Sequence, residues 1–118
     1  MKLRLHAGSL RLRLSQSEVA RLHDTGKVED AIVFPSGAEL RYAVETDAVI
    51  AGLTATFDDA SIRVRIPAQI ATAWIESDQT GIEESGALGV LIEKDFQCLH
   101  REPEPGEDSF PNPLANAS

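Results

Sequence analysis

The chain opens with two short runs in which leucine alternates with a polar or basic residue. They are Lys2-Leu3-Arg4-Leu5 and Leu10-Arg11-Leu12-Arg13-Leu14, on either side of Ala7-Gly8-Ser9. Period-two alternation marks half-buried strands. The first leucines fall on odd positions and the second set on even ones, so one flat strand would turn them to opposite faces. A turn or bulge at Ala7-Gly8-Ser9 restores a common face, and Gly8 is the residue best able to take a positive φ there. The pattern predicts a hairpin, with a bulged long strand as the alternative. Ser15-Gln16-Ser17-Glu18 then fits a capping box. Val19, Leu22 and His23 share a helical face and Gly26 offers a left-handed stop, which predicts a helix over about 16–25.

From Lys27 to Ile66 the alternation returns, broken by turn residues at Pro35-Ser36-Gly37, Thr46-Asp47 and Asp58-Asp59. Strands are expected at about 28–34, 39–45, 48–57 and 61–66, and their short connections imply an antiparallel meander. Pro67 suits the first turn of a second helix over about 68–77, on which Ile70, Ala73, Trp74 and Ser77 share a face. Residues 79–86 read as a loop and 88–92 as a buried strand, which Glu93-Lys94 either continues or bends around the sheet edge. The expected fold is α+β, in the order ββα-ββββ-αβ: about seven strands in a mainly antiparallel sheet, its closure towards a barrel left open, and two short helices. No internal repeat is visible. The composition changes after His100 to an acidic, proline-punctuated stretch. The division expected is therefore one α+β domain over 1–100 and a largely disordered tail over 101–118.

Charge changes this picture more than bulk composition does. The chain has 118 residues, 42% hydrophobic and 25% charged, ordinary for a soluble globular protein. No apolar run approaches the roughly 20 residues that span a bilayer, and arginines interrupt any would-be leader. A single cysteine excludes an intrachain disulfide and agrees with a reducing, cytoplasmic setting. The net charge of −8 is unevenly spread: residues 1–17 carry +4 and no acid, residues 101–118 carry −3, and the middle carries −9. An acidic body disfavours non-specific nucleic-acid or membrane binding, while a local basic patch can still act.

Three segments together resemble a family of small uncharacterised bacterial proteins, a domain of unknown function. They are the opening Arg11-Leu12-Arg13-Leu14-Ser15-Gln16-Ser17-Glu18-Val19, then Glu93-Lys94-Asp95-Phe96-Gln97-Cys98-Leu99, then Phe110-Pro111-Asn112-Pro113. That resemblance covers essentially the whole chain and implies no activity and no functional residue. The opening alone is also similar to the swapped-hairpin DNA-binding module of AbrB- and MazE-like regulators. Those usually carry proline where Ser15 stands here, and they end after one small module.

Candidate chemistry is sparse. Arg4, Arg11, Arg13, Arg41, Arg63 and Arg65 lie on strands; gathered on one face they would bind an anionic ligand or partner through guanidinium forks. Spread opposite Glu29, Glu39, Glu45 or Glu93 they are solvated cross-strand pairs instead. Cys98 and His100 could give two ligands to zinc or copper, with His6, His23 or a tail carboxylate completing the set. Cys98 is otherwise a redox-sensitive thiol or a small buried one. Asp58-Asp59 and Glu83-Glu84 suit turn and loop chemistry. Trp74 suits core packing or the wall of a pocket. No nucleophile elbow, Walker loop or dinucleotide fingerprint occurs, so nothing indicates catalysis or a cofactor. Phe110 is the one aromatic anchor in the acidic tail, which can dock on another protein or fold back on its own domain. The expectation is a non-enzymatic binding or protein-interaction domain.

Overall fold

Alternating apolar positions need a partner surface, and the chain meets that need by exchanging hairpins between its two halves. The computed structural model describes residues 1–95. Cys98, His100 and Phe110 lie outside the described residues. The elements are β1 (Lys2–His6), β2 (Ser9–Leu14), α1 (Gln16–Thr25), β3 (Lys27–Val33), β4 (Glu39–Asp47), β5 (Thr54–Asp58), β6 (Ser61–Pro67), α2 (Ala68–Ile75), β7 (Gly81–Glu84) and β8 (Gly89–Lys94). The order is thus ββαββ run twice.

These strands form two four-stranded sheets, β1-β2-β8-β7 and β3-β4-β6-β5. Each is mixed: a parallel pair, β2 with β8 or β4 with β6, lies at the centre and an antiparallel strand flanks it on either side. The expectation of seven strands in one mainly antiparallel sheet is corrected to eight strands in two mixed sheets among the described residues. The expected meander fails because residues 48–53 form a connection rather than a strand. β5 therefore runs out to the sheet edge and β6 returns between β5 and β4. Burial explains the placement. Ile62, Val64 and Ile66 of β6 are buried, whereas most of β5 is exposed, so the more apolar strand takes the doubly flanked position. Residues 81–84, expected as loop, pair with β8 instead.

No barrel closes among the described residues. The sheets meet through side chains, and a single cluster joins Leu10, Leu12 and Leu14 of β2 to Val64 and Ile66 of β6, Val44 of β4, Ile92 of β8, Leu22 of α1 and Trp74 of α2. Face-packed sheets stand about 10 Å apart, twice the strand spacing of a closed ladder.

The bounds of α1 match the sequence expectation, whereas α2 ends two residues early and buries Ala71 with Trp74, leaving the expected Ala73 and Ser77 exposed. Ser15 caps α1, its Oγ accepting from Glu18 N while Glu18 Oε1 accepts from Ser15 N at 2.9 Å, and Gly26 ends it at φ 78°. α2 follows Pro67 and ends at Ile75.

The repeated order carries through to side chains. Leu10, Leu12 and Leu14 correspond to Ile62, Val64 and Ile66, and Leu22 corresponds to Trp74, all buried. Thr46 N donates to Gly26 O as Lys94 N donates to Thr80 O, both at 2.9 Å. Asp30 lies 3.6 Å from the Met1 amino group, and its counterpart Glu84 accepts from the counterpart backbone, Leu53 N, at 3.1 Å. The chain is built on an internal pseudo-two-fold axis.

Candidate functional site

Both first-hairpin turns, Ala7-Gly8 and Asp59-Ala60, lie at one end of the molecule, and the helices leave β2 and β6 at the other. Towards the turns, side chains that face the core along each strand run past the point where the opposite sheet covers them. Leu5 and its counterpart Phe57 are 59% and 70% exposed. With Leu10, Ile62, Leu40 and Leu88 they line an apolar groove of about 520 Å³. These six are three equivalent pairs, so the groove lies across the pseudo-axis, with Ser9, Ala55 and Thr56 completing its lining. A contiguous apolar surface of this kind marks an interaction site more often than single scattered residues do. Sequence reasoning placed Leu5 with the core. It could not see that Leu5, beside the turn at the end of β1, is left largely uncovered.

The strand arginines divide between the sheets. Arg4, Arg11 and Arg13 lie on the outer face of the first sheet, and Arg41, Arg63 and Arg65 on the outer face of the second. The six strand arginines therefore do not converge on one place. Arg11 and Arg13 both approach Glu93, at 3.5 and 2.8 Å, and the equivalent Arg63 and Arg65 both approach Glu45, at 3.9 and 3.7 Å. Arg41 bonds Glu39 two residues away on its own strand at 2.7 Å. These are the solvated acid–base pairings that the sequence allowed, worth little individually at a wet surface. Lys2 holds Asp95 at 2.9 Å, and that hydrogen bond lowers the Asp95 pKa.

Titratable groups near the first strand serve structure. Burial pushes the Glu18 carboxyl up, but hydrogen bonds from the Met1 amino group, Ser15 N and Ser15 Oγ outweigh it, leaving the pKa lowered. Burial, with Asp30 and Glu18 nearby, raises the Tyr42 pKa; its hydroxyl donates to Met1 O at 3.2 Å. Trp74 is fully buried and its Nε1 donates to Thr80 O at 3.2 Å, so it packs in the core. Asp58 and Asp59 sit at the β5–β6 turn as turn chemistry requires, whereas Glu83 and Glu84 belong to β7. Among the described residues no three His, Cys, Asp or Glu side chains gather as a metal site. His6 is exposed, and His23 lies 3.2 Å from Asp24. No helix among the described residues is long and apolar enough to cross a membrane.

The comparison with family models is decisive on kinship: a model described as a family of unknown function (DUF7009) matches residues 1–114. The chain belongs to this family. The match includes both hairpin-exchanged halves and extends into the acidic stretch beyond Asp95. No curated protein and no solved structure matches the chain. The family adds no activity, and the surface itself carries the functional argument.

Proposed function

We propose that this chain is a non-enzymatic binding domain whose groove between the hairpin turns receives an apolar segment of a partner polypeptide. The observation that carries this is the exposure of Phe57 and Leu5 at equivalent places on the two halves, flanking one groove. Burying such side chains is favourable by about 1.5–3 kcal/mol each, enough for a few of them to anchor an interface. The test is a comparison of the wild-type chain with the Leu5→Asp/Phe57→Asp variant, both purified from the native host and both checked for fold by circular dichroism. A polypeptide that accompanies the wild type and is lost from the variant, a second copy of the chain included, supports the groove. Identical company for the two proteins sinks it.

A second reading has one observation in its favour. The exchange of hairpins between halves suits the swapped-hairpin DNA-binding modules that the opening resembles. The net charge of −8 opposes it. That reading requires duplex DNA binding that falls steeply with added salt as counterions are released; absent or salt-indifferent binding removes it.

A further inference from the structure

The outer face of the β1–β2 hairpin collects positive charge in an unfavourable arrangement. Lys2 stands directly opposite Arg13, and Arg4 directly opposite Arg11. Like charges at direct cross-strand positions destabilise a sheet. Among the described residues two carboxylates stand beside these four cations, Glu93 by Arg11 and Arg13 and Asp95 by Lys2. Arg4 has no ion pair among the described residues. With Leu3 these side chains line a recess of about 190 Å³. The equivalent face of the other half has no such surplus, because β5 sets Thr54 and Thr56 opposite Arg65 and Arg63.

The missing negative charge lies further along the same chain. Glu102, Glu104, Glu107 and Asp108 follow β8 in the sequence, and the last described residue, Asp95, has its carboxylate against Lys2. We propose that the acidic segment 102–108 docks on the outer face of β1–β2, over Arg4 and Arg11, and so covers an anion-binding surface with the chain's own carboxylates. The tether is long enough. The seven residues from Asp95 to Glu102 reach about 23 Å when extended, and Arg4 lies only about 7 Å along the strand from Lys2. Glu102 and Glu104 are two apart, as are Arg11 and Arg13, so an extended segment turns both acids to one side. Tethering sets an effective concentration in the ~mM range, which makes weak, solvent-exposed pairings sufficient for docking. This surface is separate from the apolar groove and stands without it.

A nitroxide at Ser109→Cys, in the full chain with Cys98→Ser, tests the contact through paramagnetic broadening of ¹⁵N-resolved amide signals. At low salt the signals of residues 2–4 and 11–13 are expected to lose most of their intensity while those of 61–65 keep theirs. Intensity should return at about 1 M salt, where the screening length falls to about 3 Å. Arg4→Glu/Arg11→Glu should also restore it. So should Glu102→Gln/Glu104→Gln/Glu107→Gln/Asp108→Asn, which leaves the described body unaltered and keeps the test open if the arginine variant misfolds. Equal effects on the two sheets overturn the proposal, as does broadening that survives neutralisation of the acids. Broadening of unlabelled ¹⁵N chains mixed with spin-labelled ones also overturns it, because the contact would then be between two copies.

Discussion

At the scale of single residues, backbone conformation and local charge separate what is well matched from what is strained. The turn between β5 and β6 has two residues, Asp59 at φ 49° and Ala60 at φ 56°. Two-residue hairpin turns with both φ positive favour Asn-Gly or Asp-Gly, because the left-handed region costs a residue with a Cβ about 1–2 kcal/mol. Asp59 suits its place and Ala60 does not. Ala60→Gly should therefore raise stability by about 1 kcal/mol, part of the relief being offset by the greater freedom of glycine in the unfolded chain. A rise in urea midpoint with unchanged slope is the expected signature, and a lower midpoint would refute it. The corresponding turn of the first half already carries Gly8, at φ 77°.

At the scale of elements, hairpin parity and capping explain why local reading succeeds. Pairing across a two-residue turn sets Leu3 against Leu12 and Leu5 against Leu10, so odd and even leucines reach one face with no bulge. The start of α1 was legible because its capping box is contained in four consecutive residues. Glu18 carries part of that helix start, and its folded pKa lies below the ordinary carboxylate value. A group depressed in this way stabilises the fold fully above its unfolded pKa, about 4.3, and loses that contribution as pH falls through its folded pKa. Glu18→Gln should be less stable than wild type at pH 7, with the gap closing below about pH 4. Denaturant titrations of both proteins across that range would check the sign; a gap that widens on acidification contradicts it.

For the whole molecule, the repeated ββαββ order governs energetics as well as shape. Trp74 and Leu22 occupy equivalent, fully buried positions on the two helices. Both should be expensive to truncate, Trp74→Ala by about 3–5 and Leu22→Ala by about 2–5 kcal/mol, against a typical total of about 5–15 kcal/mol. Each variant should unfold in one transition lying well below that of wild type. If Leu22→Ala melted α1 and left the rest at its original midpoint, the halves would not share a core. The same symmetry places the groove across the axis and separates the basic outer face of one half from its balanced counterpart.

Sequence alone determined what depends on neighbouring residues: the first hairpin, both helices, the apolar faces of β2 and β6, and the acidic stretch near the C-terminus. It also pointed to a family of unknown function, through the opening, the Glu93–Leu99 segment and Phe110–Pro113 together. Tertiary structure decided strand order, the split into two mixed sheets and the position of the groove. Strand neighbours are chosen by competition for the most buried place, and that competition involves segments far apart in the chain. The repeat stayed hidden for a related reason. Leu22 can answer Trp74, and Ser15 can answer Pro67, because shared burial and backbone geometry do not require shared side chains. Which arginines face one another was undecidable until pairing fixed the register, since a shift of one residue turns every charge to the other face.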